Sequence, residues 1–133
     1  MMKKQFASLL LALLLCGSRR AQSNEPVAVA QRQLDAYNKQ DVKAFAACFA
    51  PDVKLYNKLG DEQPTLQGRE ALEKRYADLF AKYPQNRCTL IGRMQQADMV
   101  IDHEWITGRE TELRIIAIYE VKNGLITRCW FIR

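Results

Sequence analysis

Apolar residues recur at Val27, Ala30, Leu34 and Tyr37, a helical spacing that predicts a helix from Pro26 to Lys39, started by Asn24-Glu25-Pro26. Asp41 is placed to cap a second, short helix, DVKAFAACFA, whose inner positions are Ala44, Phe45, Cys48 and Phe49, with Pro51 as its stop. Val53 to Asn57 alternates and reads as a strand. A polar loop with Gly60 and Pro64 leads to Gly68 and a third helix, REALEKRYADLFAKY. Its stripe is Leu72, Tyr76, Leu79, Phe80 and Tyr83, and Pro84 ends it. Four strands follow, over 88–94, 99–107, 113–122 and 125–132, the last two joined by the hairpin turn Asn123-Gly124. Helix, helix, strand, helix and then a run of strands predicts an α+β fold, with three helices on one face of a mostly antiparallel sheet.

Side chains alternate across a sheet, so the hairpin sorts residues onto two faces. A two-residue turn continued in simple register sets Glu120 opposite Thr127, Ile118 opposite Cys129 and Ile116 opposite Phe131. The other face carries Tyr119, Arg128, Ala117, Trp130, Ile115 and Ile132. Both faces are largely apolar and both need cover. Helices cover one; a second copy of the chain is the simplest cover for the other, giving a homodimer through the outer sheet face with Tyr119 and Trp130 as anchors.

The N-terminus stands apart from this pattern. Met1-Met2-Lys3-Lys4 is followed by an apolar core over 6–15 and by the small residues of Ala21-Gln22-Ser23. This reads as a signal peptide over 1–23, removed on export to the periplasm, with one domain over 24–133. Cys16, directly after the leucine run, offers the alternative of a lipid anchor, the only membrane attachment foreseen beyond the signal itself. Of the 20 basic residues, Lys3, Lys4, Arg19 and Arg20 lie in that segment. The remaining 16 face 15 acidic ones, so the net charge of +5 drops to +1 and leaves no electrostatic footprint for nucleic acid. Cys48, Cys88 and Cys129 fit no zinc spacing and read as small buried hydrophobes. No phosphate loop, nucleophile elbow or metal cluster appears, so neither cofactor nor metal is expected.

The single histidine lies in VIDHEW, residues 100–105. Alternation sends Asp102 and Glu104 one way and His103 the other, so the two carboxylates do not orient the imidazole. They are read as ion-pairing residues of the outer face, with Arg128 as a partner. His103 is the general acid or base by its titration range, or else a hydrogen-bonded wall residue.

The strings QRQLDAYNKQDVKAFAACFAPDVKLY (31–56), QGREALEKRYADLF (67–80), VIDHEWITG (100–108) and AIYEVKNGLITRCWFI (117–132) resemble the nuclear transport factor 2-like superfamily, in particular its bacterial SnoaL-like and steroid-isomerase-like members. The resemblance implies a cone: a curved sheet with three helices on its concave side around a pocket for a small apolar or amphipathic molecule. It implies that Ile116, Ile118, Glu120, Thr127, Cys129 and Phe131 face the pocket, and that His103 joins them if its strand pairs through an even-numbered turn. Gln33, Tyr37, Phe80 and Trp105 complete the implied lining, Trp105 at the rim. The superfamily's ketosteroid isomerases use a carboxylate base with a tyrosine and a protonated aspartate around the oxyanion. Those positions fall on Asn57, on Gln33 and near Ile118 or Tyr119, which disfavours that mechanism; the supporting helical tyrosine is kept as Tyr76. Three functions stay open: a binder of a small molecule, a cofactor-independent isomerase, dehydratase or hydrolase using His103 with Asn57 and Tyr76, and a dimeric scaffold without catalysis.

Overall fold

The computed structural model describes residues 21–133. All but the end of the expected signal peptide, Cys16 included, lies outside the described residues. Helix α1 (Pro26–Asn38) starts on a proline at its first turn, where no amide hydrogen is needed. In α2 (Val42–Ala46) the Asp41 side chain caps the Ala44 amide at 3.1 Å. This helix is shorter than its sequence suggests, because the chain turns at Ala47 and enters β1 (Phe49–Tyr56). Pro51 therefore lies within a strand rather than ending a helix. It falls in the stretch between Phe49 and Lys54 where the pairing with the neighbouring strand is irregular, and a residue without an amide hydrogen costs little there. A two-residue strand, β2 (Leu66–Gln67), forms in the stretch whose sequence predicts a loop. Helix α3 (Arg69–Lys82) follows, then β3 (Arg87–Gln96), β4 (Met99–Thr107), β5 (Leu113–Lys122) and β6 (Leu125–Ile132).

The six strands form one sheet in the order β2-β1-β6-β5-β4-β3, antiparallel except for β1 with β6. Three register irregularities, in the β1–β6, β3–β4 and β5–β6 pairs, add bend and twist. The curved sheet packs its inner side against the three helices, giving the cone-like α+β fold. Where helices meet sheet, Phe45 is fully buried between Phe49 (ring centroids 4.9 Å) and Tyr76 (4.4 Å), and Tyr37 meets Phe80 at 5.3 Å. Val100, Ala117, Ile126 and Cys129 form the sheet's side of this core, none of them exposed. Cys48, Cys88 and Cys129 are buried free thiols.

The turn forms as expected, with Asn123 at φ 51° and Gly124 at φ 76° and Lys122 opposite Leu125. Three residues on, the register departs from the sequence reading. Val121 pairs with Ile126 but Glu120 pairs with Arg128, so Thr127 is an extra residue in β6. Its hydroxyl lies 2.7 Å from the Glu120 carboxylate, which Arg128 also engages through Nε at 3.1 Å. Beyond this bulge Tyr119 faces Cys129 and Ala117 faces Phe131. Cys129 and Phe131 remain on the inner side as expected, and Trp130 on the outer. On β5 the expected faces are exchanged. Ile116, Ile118 and Glu120 are on the outer face; Ile115, Ala117 and Tyr119 are inside. Tyr119, only 1% exposed, is therefore no anchor for a second copy.

Candidate functional site

The same exchange passes to β4, which pairs with β5 in unbroken register: His103 sits opposite Ile116 and Glu104 opposite Ile115. The turn is even-numbered, so His103 does share a face with Ile116 and Ile118, but that face is the outer one. His103 is exposed, whereas Asp102 and Glu104 are 0% and 4% exposed on the inner side. The expected outer-face carboxylates are thus the inner ones, and Arg128 pairs with Glu120 instead of either.

A cavity of about 170 Å³ opens between the helices and the inner sheet. Gln33, Leu34 and Tyr37 of α1 line it, with Arg75, Tyr76 and Leu79 of α3. The sheet contributes Leu55, Cys88, Glu104, Ile106, Ile115, Tyr119 and Phe131, and Asn57, Thr65, Arg109 and Arg133 stand around its opening.

Glu104 is the carboxylate side chain of this lining. The Tyr119 hydroxyl donates to Oε1 at 3.2 Å, and the Cys88 thiol lies beside it. Among the described residues it makes no ion pair. Burial, followed by repulsion from Asp102, raises its carboxyl to about 7. The bonds from Cys88 and Tyr119, and the more distant Arg93, pull the other way but do not cancel this. Asp102, two residues along the same face, has an opposite fate. Arg93, its cross-strand neighbour, grips it through Nε and Nη2, each at 2.7 Å, and ties the pair to Gln31 of α1 at 2.8 Å. The two inner carboxylates therefore differ in surroundings: Asp102 is gripped by Arg93, and Glu104 has no cationic partner among the described residues. Burial, with Glu104 close by, also pushes the Tyr119 hydroxyl and the Cys88 thiol well up, so both stay protonated at neutral pH and serve as donors.

The opening is basic. Arg109, in the β4–β5 turn, donates through Nε to Asn86 Oδ1 at 2.7 Å and through Nη2 to the Tyr37 hydroxyl at 2.8 Å. Arg75 donates to the Thr65 carbonyl at 3.1 Å. Gln33 is 5% exposed, and its Oε1 is buried with no hydrogen-bond partner among the described residues.

Of the residues the sequence singled out, Gln33, Tyr37, Asn57, Tyr76 and Phe131 meet at this cavity. Phe80 packs beneath it, against Tyr37 and Tyr76. His103, Ile116, Ile118 and Glu120 do not reach it. Nor does Trp105, whose indole nitrogen donates to Glu112 at 3.1 Å on the outer side, under the Arg114 guanidinium. Sequence reasoning missed Glu104, Tyr119 and Arg109. A signal for the face of Glu104 was present in Arg93, whose charge suits a buried Asp102 one strand away, and Glu104 shares that face with Asp102; using it requires the β3–β4 register.

The pattern that describes the SnoaL-like domain matches residues 30–129. Among solved structures, the chain is similar to an uncharacterized cystatin-fold protein from Novosphingobium aromaticivorans, with 25% identity over 82% of this chain and 98% of that one and a TM-score of 0.76. It is similar to a proposed ketosteroid isomerase from Kribbella flavida (21% identity, 80% and 76% coverage, TM-score 0.68). It is also similar to a proposed polyketide cyclase from Sinorhizobium meliloti (17%, 77% and 92%, TM-score 0.66). No curated protein matches the chain.

Proposed function

We propose that this chain, which belongs to the SnoaL-like family, binds a small amphipathic molecule in the cavity and moves a proton on it through Glu104, without a cofactor. The observation that carries this reading is the Glu104 carboxyl: buried at a cavity wall, unpaired among the described residues and raised to about 7. A carboxyl in that range populates both protonation states near neutral pH, so it takes a proton from a bound molecule and returns it with little loss in either direction. His103 has no part in this reading, because it is on the far side of the sheet. Isomerisation is proposed for the Kribbella protein and cyclisation for the Sinorhizobium protein; at their identities they share a fold with this chain, and the acid–base reading rests on Glu104.

Two further expectations travel with this reading as proposals. One is export through the N-terminal segment. The other is a homodimer that covers the outer face, where Trp130 stacks on Tyr56 at 5.5 Å beside half-buried Ile116, Ile118 and Ile132.

The test begins with native mass spectrometry of the protein from its own cells, to identify the small molecule that accompanies it. That molecule is then incubated in D2O with the wild type and with Glu104→Gln. Deuterium uptake by the wild type, lost in the variant, is the expected result. An empty protein, or uptake indifferent to the substitution, overturns the reading.

A further inference from the structure

We infer that the molecule this cavity takes is a small hydroxylated carboxylic acid of a single ring, its carboxylate at the arginine-lined opening and its hydroxyl donating to Gln33. The inference deepens the reading above and rests on the cavity being a ligand site.

Charge carries the first part. Three arginine side chains, of Arg75, Arg109 and Arg133, line the cavity against one carboxylate side chain, Glu104, with which none of them forms an ion pair. Two sheet arginines elsewhere have carboxylates, Arg93 with Asp102 and Arg128 with Glu120, while Arg69 is held by the Phe49 carbonyl and Arg114 lies over Trp105. At the opening the partners are neutral. Arg109 is held by Asn86 and the Tyr37 hydroxyl, and Arg75 by a backbone carbonyl. Among the described residues, the Arg133 side chain and the Nη1 group of Arg109 have no hydrogen-bond partner, since Arg109 bonds through Nε and Nη2. A guanidinium already fixed through Nε and Nη2 has lost its freedom before a ligand arrives, and its remaining donors suit a planar carboxylate.

Gln33 carries the second part. A buried carbonyl oxygen without a donor costs stability, because it has given up water and gained no bond in return. Gln33 Oε1 is such an atom, and its side chain lines the cavity. An O–H group on the occupant satisfies it; an ether or a ketone does not.

Volume carries the third. Between these polar points the walls are Leu34, Leu55, Ile106, Ile115 and Phe131, an apolar interior. A cavity of about 170 Å³ is close to the roughly 150 Å³ that suffices for benzene in an apolar engineered cavity. One ring fits; a fused polycycle does not.

The test is a set of matched probes followed by NMR chemical-shift titration of the full-length mature chain: 4-hydroxybenzoate, its neutral isostere 4-hydroxybenzamide, benzoate, and the corresponding cyclohexane compounds. The expected result is that the hydroxy acid binds about tenfold or more tightly than its amide, and more tightly than benzoate, with shifts at Ile115 and Tyr119. Added salt weakens the acid and leaves the amide unchanged. Arg133→Gln, a substitution that removes no hydrogen bond within the described residues, and Arg109→Gln each cut the acid's advantage to about threefold or less. Gln33→Leu removes the advantage of the hydroxyl over benzoate and spares the preference for the acid. Amides that bind the cavity as tightly as acids overturn this inference alone and leave the cavity a ligand site. An acid preference untouched by both arginine substitutions does the same. Probes that leave Ile115 and Tyr119 unmoved overturn both this inference and the reading on which it rests.

Discussion

Replacing Glu104 by glutamine keeps the shape of the side chain and the acceptor that Tyr119 uses, and takes away the charge. In the folded protein the Glu104 carboxyl titrates at about 7 rather than its ordinary 4.5. In the unfolded chain it is free of that burial and of Asp102. Between those two values the folded state holds a proton that the unfolded state has lost, so wild-type stability falls as pH rises through this window and levels off above 7. A shift of this size corresponds to roughly 3 kcal/mol as an upper bound, and structural relaxation around an ionised Glu104 reduces it to about 2 kcal/mol. The variant has no such titration. At pH 5 it matches the wild type or falls short by about 1 kcal/mol for the altered hydrogen bonding, and at pH 8 it is the more stable protein by about 1–2 kcal/mol. Urea unfolding followed by tryptophan fluorescence at the two pH values measures all four stabilities. The difference between variant and wild type, compared across pH, cancels the titrating groups that do not interact with Glu104. Glu120, held at about 2 by Arg128 and Thr127, contributes stability that is present above pH 4.5 and lost as pH falls towards 2, outside the window used. A difference that stays the same at pH 5 and pH 8 refutes the account of Glu104, and with it the proton chemistry proposed for the cavity.

Arg93→Ala leaves Asp102 fully buried without its bidentate partner, and is expected to lower stability by about 3–5 kcal/mol in the same urea assay; pairing it with Asp102→Asn recovers a large part of that loss. His103→Ala, by contrast, alters an exposed side chain on the outer sheet face. It is expected to change stability by less than about 0.5 kcal/mol and to leave probe binding in the cavity unchanged in an NMR titration.

The alternation, capping and turn chemistry of the chain determined most of this structure without help from tertiary contacts. The stripe from Val27 to Tyr37, the stripe from Leu72 to Phe80, and the Asn123-Gly124 turn form where local physics puts them, because helical periodicity and positive φ are properties of short segments. Three of the four C-terminal strand boundaries follow directly, and so do the inward positions of Tyr37, Tyr76, Cys129 and Phe131. The order of elements was enough to predict an α+β fold with three helices on one face of a sheet, since that depends on the count and kind of segments and not on register; the cone came from the resemblance of the quoted strings.

What the sequence could not decide was which side of β4 and β5 faces inward, because that rests on one residue. Alternation has a period of two, so a single extra residue in β6 inverts every side chain of the strands paired beyond it. Nothing local in Leu125-Ile126-Thr127-Arg128 marks Thr127 as that residue. Both faces of β5 are apolar, so hydropathy gives no vote between them. The bulge is held by contacts between strands: the Thr127 hydroxyl and Arg128 on the Glu120 carboxylate. Its consequence is the exchange of His103 for Glu104 at the cavity. The raised proton affinity of Glu104 is likewise a tertiary property. It needs the helices that exclude water, an Asp102 already claimed by Arg93, and a Tyr119 turned inward, and none of these can be read from a segment on its own.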